Sequence, residues 1–245
     1  MKFMVEIIPA MMPTSFADLE EKLSFVAGLT PLVQIDIMDG RLTSKKTWPY
    51  AFTSNMLDGV DKNFGSILRE EEGFPFWNDV DFEVDLMVKE PEKIWRDWVT
   101  LGAKRIIFHI ESVADPKSFL DIVRKNSVSK DSPLYTEIGF ALNITTPHET
   151  LYPFIEQLDF VQFMGIAEIG FQGSAFSESV FAKIEDLRNR YPELIISVDG
   201  GVNLEVAKRL VEVGVNRIVV GSAIFGHDSR EKVEQALTEF QSTFS

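Results

Sequence analysis

Apolar and polar positions alternate along this chain in short blocks, and the blocks switch between two periods. Runs of four to seven residues with a two-residue period read as strands: Phe3–Ile8, Leu32–Met38, Phe82–Val88, Arg105–Glu111, Glu137–Asn143, Phe160–Gly165, Leu194–Asp199 and Arg217–Val220. Each of these eight is followed by a segment whose apolar positions recur at helical spacing. Gly28, Gly102 and Gly214 each stand at the end of such a segment, shortly before a strand. A glycine there supplies the left-handed residue that turns the chain back. Strand–helix alternation of this kind predicts parallel βαβ units.

The pattern inside the strands says how the sheet is arranged. Val33, Ile35 and Ile37 share one face of their strand, and Gln34, Asp36 and Met38 share the other. Phe82, Val84, Leu86 and Val88 likewise oppose Glu83, Asp85 and Met87. Ile106, Phe108 and Ile110 oppose Ile107, His109 and Glu111, and Ile138, Phe140 and Leu142 oppose Gly139, Ala141 and Asn143. An open parallel sheet covered by helices on both faces would be apolar on both. Here one face is apolar and the other turns polar towards the C-terminal end of the strand. That is the expectation for an α/β fold with a single closed (β/α)8 TIM barrel, whose outward residues pack the helices and whose inward residues lead to the mouth.

Composition narrows the setting. The 245 residues, 45% hydrophobic and 25% charged, suit one barrel domain spanning 1–245, with a long connection around 41–80. No run reaches the ~20 apolar residues of a membrane span. The start, MKFMVEIIPAMM, does not read as a signal peptide. The absence of cysteine removes disulfides, thiolate ligands and a cysteine nucleophile. The cytoplasm is the expected compartment. A net charge of −14 repels nucleic acid and anionic membrane, so neither is an expected partner. An anionic ligand would then be held by local backbone donors.

Gln34, Asp36, Asp85, Glu111 and Asp199 fall at inward positions near the C-terminal ends of strands. Any one alone is expected to be a hydrogen-bonded side chain at the rim. Several carboxylates converging on one low-dielectric mouth repel each other unless a proton, a basic group or a cation lies among them. His109 is the basic candidate at that level, and a divalent cation is the other solution. Two Gly-rich turns, Asp199-Gly200-Gly201-Val202-Asn203 and Gly221-Ser222-Ala223, follow the last two strand candidates. In barrels these are the loops whose bare N–H groups hold phosphate. Asn203 also reads as the N-cap of the next helix. The ligand implied is a small phosphorylated molecule.

Over nearly its whole length the chain resembles the ribulose-phosphate 3-epimerase family. The resemblance runs through Pro9-Ala10-Met11-Met12, Phe16-Ala17-Asp18-Leu19, Gln34-Ile35-Asp36-Ile37-Met38-Asp39-Gly40, Asp85-Leu86-Met87-Val88 and Phe108-His109-Ile110-Glu111. It continues in Ala141-Leu142-Asn143, Thr146-Pro147, Gly170-Phe171-Gln172-Gly173, Val198-Asp199-Gly200-Gly201 and Gly221-Ser222-Ala223-Ile224-Phe225. It implies a barrel of the ribulose-phosphate-binding type, and an isomerase that moves one proton off and onto the carbon beside a ketose-phosphate carbonyl. Asp36 and Asp199 match the family's acid and base. Gly170, Phe171, Gln172, Gly173, Gly200, Gly201, Gly221 and Ser222 match its substrate and phosphate contacts. Met38, Met87 and Met164 match methionines that line the reacting centre, and core packing accounts for them equally well. His109 matches a family histidine, for which a supporting site role and an ordinary interior hydrogen bond are both open.

The chain departs from the family in its metal set. The family holds a divalent metal with two histidines and the two aspartates, whereas the histidine positions here carry Gln34 and Asp85. The metal set Gln34, Asp36, Asp85 and Asp199 is then all oxygen, which favours Mg²⁺ or Mn²⁺ over zinc or iron. Ala10 replaces a substrate-contacting serine, and the loop Gly165–Gly173 lacks the family's Asn-Pro. Trp48, Phe74, Phe76 and Trp77 in the long connection are expected to cover the barrel's flank, with a lid or a homo-oligomer contact as the alternative. His148 and His227 are expected on the surface. A phosphosugar-binding barrel without epimerase activity is the second reading. A related lyase or decarboxylase is the third, disfavoured because Met87 replaces the lysine wanted two residues after Asp85.

Overall fold

The computed structural model describes residues 5–51, 54–57, 59–171, 173–227 and 229–244. Eight parallel strands close into a barrel. They are β1 (Glu6–Met11), β2 (Leu32–Met38), β5 (Asp81–Met87), β6 (Arg105–His109), β7 (Glu137–Leu142), β8 (Phe160–Met164), β9 (Ile195–Asp199) and β10 (Arg217–Val220). Between β2 and β5 lies a small hairpin of β3 (Met56–Leu57) and β4 (Val60–Asp61). The helices are α1 (Phe16–Val26), α2 (Lys62–Leu68), α3 (Trp95–Thr100), α4 (Pro116–Asn126), α5 (Ser179–Arg190), α6 (Leu204–Glu212), α7 (Ser222–Phe225) and α8 (Arg230–Phe244). Two compact units divide the chain: Met1–Ala10 with Ile138–Ser245, and Met11–Glu137.

Most elements follow the expected pattern, and three deviate for physical reasons. The pattern predicts a first strand over Phe3–Ile8; β1 instead runs to Met11, with Phe3 and Met4 outside the described residues. Pro9 suggests an end because proline cannot donate to a ladder. Only alternate residues of a parallel strand turn their N–H towards a given neighbour, so the register continues through Pro9 opposite Val220. The strand expected over Arg105–Glu111 stops at His109, and Ile110–Ser112 is one 3₁₀ turn closed by the Ser112 hydroxyl on the His109 carbonyl at 2.7 Å. Glu111 therefore stands in that turn, exposed, and is not an inward strand residue. After β7 the segment His148–Gln157 winds as a 3₁₀ helix rather than an α-helix. Pro153 lies inside it, and its missing N–H breaks the α-helical ladder.

In Met11–Glu137 the registers set Gln34 beside Glu83, Asp36 beside Asp85 and Met38 beside Met87. Glu83 then faces Arg105 on the next strand. The strand alternation gives the two faces correctly. Phe108, on the apolar face of β6, meets Phe119 of α4 edge-on at 4.9 Å, so that face packs against a helix. On the polar face, buried Glu83 accepts from the Arg105 guanidinium at 3.1 Å, and Glu137 lies 3.5 Å from the same side chain. The long connection from β2 to β5 packs its aromatics inward. Trp48 is 1% exposed and touches Phe16, Phe64, Phe74 and Trp98 at ring distances of 5.6–6.5 Å. Phe76 and Trp77 remain exposed.

In the other unit Glu6 faces Arg217, 3.3 Å apart, and the Arg217 guanidinium lies 4.8 Å over the Phe160 ring. Gly139 makes room for that ring, since a Cβ there would meet it at 2.5 Å. Higher up, the Ser197 hydroxyl donates to Gln162 at 3.1 Å, both side chains being buried. The helix signals hold. Gly214 and, in Met11–Glu137, Gly28 and Gly102 are left-handed, and the Asn203 side chain caps α6 by accepting from the Val206 N–H at 2.9 Å.

Truncating Trp48 to alanine empties the centre of the aromatic cluster. Trp48→Ala is expected to lower unfolding free energy by about 3–5 kcal/mol, read by urea titration. A midpoint unchanged from wild type would show that the cluster contributes nothing to the fold.

Candidate functional site

The polar residues singled out in the sequence converge at the C-terminal ends of the strands. Within Met11–Glu137, β2 carries Gln34 and Asp36 and β5 carries Asp85, with exposures of 0%, 7% and 0%. Buried carboxylates need partners. The Gln34 amide donates to an Asp36 carboxylate oxygen at 2.8 Å. His109 Nε2 lies 3.1 Å from Asp85 Oδ1, and both side chains are fully buried. Glu111 comes to 3.9 Å from the other ring nitrogen. Met38 and Met87, opposite each other in register, are buried beyond the carboxylates.

Tyr50, in the connection after β2, keeps its proton. Burial first, then the negative charges of Asp39 and Asp97, push its ionisation well above the ordinary phenol range. It is therefore no phenolate base. Asp39 ties the loops after β2 and β5 together, accepting from the N–H groups of Arg41 at 2.8 Å and Lys89 at 3.2 Å.

In the other unit Asp199 ends β9 at 7% exposure, level with the buried Met164 of β8. The chain after β8 folds onto the turn after β9. Gly165 donates to the Asp199 carbonyl at 2.6 Å, and the Ser177 N–H donates to the Gly165 carbonyl at 2.7 Å. A Cβ on Gly165 would lie 2.3 Å from the Gly200 carbonyl oxygen. One on Gly201 would lie 2.8 Å from backbone atoms of Phe176. Two turns can approach this closely only where no side chain stands between them. Gly170 and Gly173 take positive φ in the same loop, beside Phe171, while Gln172 lies outside the described residues. Gly221 precedes α7 and Ser222 opens it.

Asp36 and Asp85 stand side by side in register on β2 and β5, and in the other unit Asp199 ends β9; all three offer oxygen donors only, the kind that suits a hard cation. The Gln34 N–H group faces Asp36, and its side chain is fully buried.

The family model described as "Ribulose-phosphate 3 epimerase family" matches residues 6–225. The chain belongs to that family. A ribulose-phosphate 3-epimerase of Schizosaccharomyces pombe is 29% identical over 95% of this chain and 92% of its own length. One of Bacillus subtilis is 28% identical over 94% and 96%. The chloroplastic ribulose-5-phosphate-3-epimerase of Arabidopsis thaliana is 31% identical over 90% and 71%. Among solved structures, KGPDC from Streptococcus mutans superposes with a TM-score of 0.62 at 13% identity, covering 98% of this chain and 99% of that one. A tryptophan synthase chain of Pyrococcus furiosus also reaches 0.62, at 18% identity, covering 98% and 99%. At such identities the likeness speaks for the barrel alone.

Two residues of this family member escape the sequence reading. Lys183 of α5 donates to the Ile144 and Thr146 carbonyls of the loop after β7, the latter at 2.7 Å. Thr47, in the connection after β2, bonds to the backbone around Asp36. Neither carries a sequence signal, since a helical lysine and a loop threonine are ordinarily solvated. His227 is exposed as expected, and no described helix is long and apolar enough to cross a membrane. His148 is drawn in, with Nε2 2.8 Å from Asp186 and the Tyr152 hydroxyl donating to the same carboxylate at 2.7 Å.

Gly165→Ala forces apart the turns after β8 and β9, because the clash is with backbone. It is expected to cost about 1–3 kcal/mol in urea titration. An alanine variant as stable as wild type would refute the close packing of these two turns.

Proposed function

We propose that this chain is a ketose-phosphate 3-epimerase of the ribulose 5-phosphate/xylulose 5-phosphate type, with Asp36 and Asp199 as its acid and base. The observation that carries the reading is the burial of Asp36, Asp85 and Asp199 at strand ends in a chain matched by this family's model over residues 6–225. The curated relatives' names supply the substrate class, a phosphorylated sugar.

The sugar phosphate would rest on backbone N–H groups of Gly173, Gly200, Gly201, Gly221 and Ser222, with Gly170, Phe171 and Gln172 completing that loop. Backbone donors suit an anion that a chain of net charge −14 cannot attract by its overall field. One aspartate takes the proton from the carbon beside the carbonyl as its carboxylate. The other, in its acid form, returns a proton to the opposite face, and the centre inverts. In the reverse direction the roles exchange. The Gln34 amide bond to Asp36 holds that carboxylate in one orientation, and His109 packs 3.1 Å from Asp85. Met38, Met87 and Met164 bring a soft, apolar lining that keeps the local dielectric low. Gln34, Asp36, Asp85 and Asp199 would hold the divalent cation, Mg²⁺ or Mn²⁺ by their oxygen donors. Such a cation supplies positive charge against the negative charge that develops on substrate oxygens.

A second reading, a phosphosugar-binding barrel without turnover, rests on Gln34 and Asp85 standing where the family resemblance expects histidine ligands.

Incubation with ribulose 5-phosphate and Mn²⁺ or Mg²⁺ is expected to yield xylulose 5-phosphate. Asp36→Asn and Asp199→Asn should each lower kcat about 10²–10⁴-fold. No interconversion with any metal, together with ligand binding that survives both substitutions, would establish the binding-only reading instead. Joint Gln34→His and Asp85→His replacement is expected to shift metal content towards zinc or iron, and identical elemental analysis before and after would refute the all-oxygen site.

A further inference from the structure

The extra length between β2 and β5 passes directly behind Asp36. Lys46 pairs with Asp39 in an isolated antiparallel bridge, and the next residue, Thr47, lies against the end of β2. Its hydroxyl donates to the Asp36 carbonyl at 2.6 Å and accepts from the Met38 N–H at 2.9 Å. Its own N–H donates to the Met38 carbonyl at 3.1 Å, and the side chain is 2% exposed. In a parallel ladder a neighbouring residue gives its N–H to one carbonyl and receives the N–H two residues on. Thr47 does both with one hydroxyl, so it takes the place of a strand residue at this point of β2.

The clamp is itself held. Trp48 donates its N–H to the Pro13 carbonyl at 2.8 Å and buries its ring in the aromatic cluster. The Tyr50 and Ala51 N–H groups both donate to the Thr47 carbonyl at 2.7 Å, closing the turn behind it. The backbone on both sides of Ile37, from the Asp36 carbonyl to the Met38 amide, therefore has little freedom. An acid–base carboxylate must be held to a fraction of an ångström, because proton transfer falls off steeply with misplacement.

We propose that Thr47 is a positioning residue for the reaction, setting the Asp36 carboxylate through the β2 backbone rather than touching substrate. The inference rests on the reading of Asp36 as acid and base. The long connection then acts as a brace for β2, with Trp48 as its anchor and the Thr47 hydroxyl as its contact.

The test compares Thr47→Val, which keeps the shape and loses the hydroxyl, with Thr47→Ser, which keeps the hydroxyl. Kinetics are measured on ribulose 5-phosphate with Mn²⁺, per folded molecule. Thr47→Val is expected to lower kcat at least about tenfold with KM within about twofold, while Thr47→Ser stays within about twofold of wild type in both. Where Thr47→Val does not fold, Thr47→Ala carries the same comparison. A folded, hydroxyl-free variant with wild-type kcat, a loss confined to KM, or a serine variant as slow as valine each overturns the inference. Wild-type protein that interconverts neither pentulose phosphate overturns the functional reading beneath it.

Discussion

A polar side chain that points into a closed β-barrel has no water to fall back on, so its partner must be supplied inside. Each half of this chain meets that demand in its own way. In Met11–Glu137 the Glu83, Arg105 and Glu137 charges meet at the N-terminal ends of the strands, and Gln34–Asp36 and Asp85–His109 pair towards the other end. In the remaining unit Arg217 lies between Glu6 and the Phe160 ring, and Ser197 pairs with Gln162. Buried polar pairs of this kind contribute little to net stability but are costly to break, because the partner left behind is a buried polar group or charge.

Gln34 and Asp85 stand where the family resemblance expects histidines. Asp85 adds negative charge where the family resemblance expects a neutral ligand. His109 lies 3.1 Å from Asp85. The Gln34 amide donates to Asp36. The turns after β8 and β9 are built on another principle. Gly165, Gly200 and Gly201 let two turns pack backbone to backbone, so donors there are fixed by geometry and are indifferent to the acidic surface.

The connection after β2 bonds to the end of that strand through Thr47. Its aromatics are expected from sequence to cover the barrel's flank, with a lid or a subunit contact as the alternative. In the structure Trp48 and Phe74 are buried against Phe16, Phe64, Phe82 and Trp98, and only Phe76 and Trp77 of the four remain exposed. Burial of that ring sets the backbone around residues 46–51, and the backbone sets Thr47.

The barrel, its inward and outward faces and its helix ends were legible from sequence, because period, glycine position and capping are local properties of the chain. Asp36, Asp85, Asp199, His109 and the paired glycine turns could be singled out for the same reason: strand alternation says which way each faces. Strand ends were less legible, since the limits of β1 and β6 depend on whether a neighbour supplies the next hydrogen bond. The partners of these residues were not legible at all. That Gln34 donates to Asp36, that Asp85 meets His109, and that Thr47 and Lys183 bond to backbone depend on approach between residues that the sequence pattern does not pair. Distances of that kind are set by the packing of whole elements, and only the tertiary structure decides them.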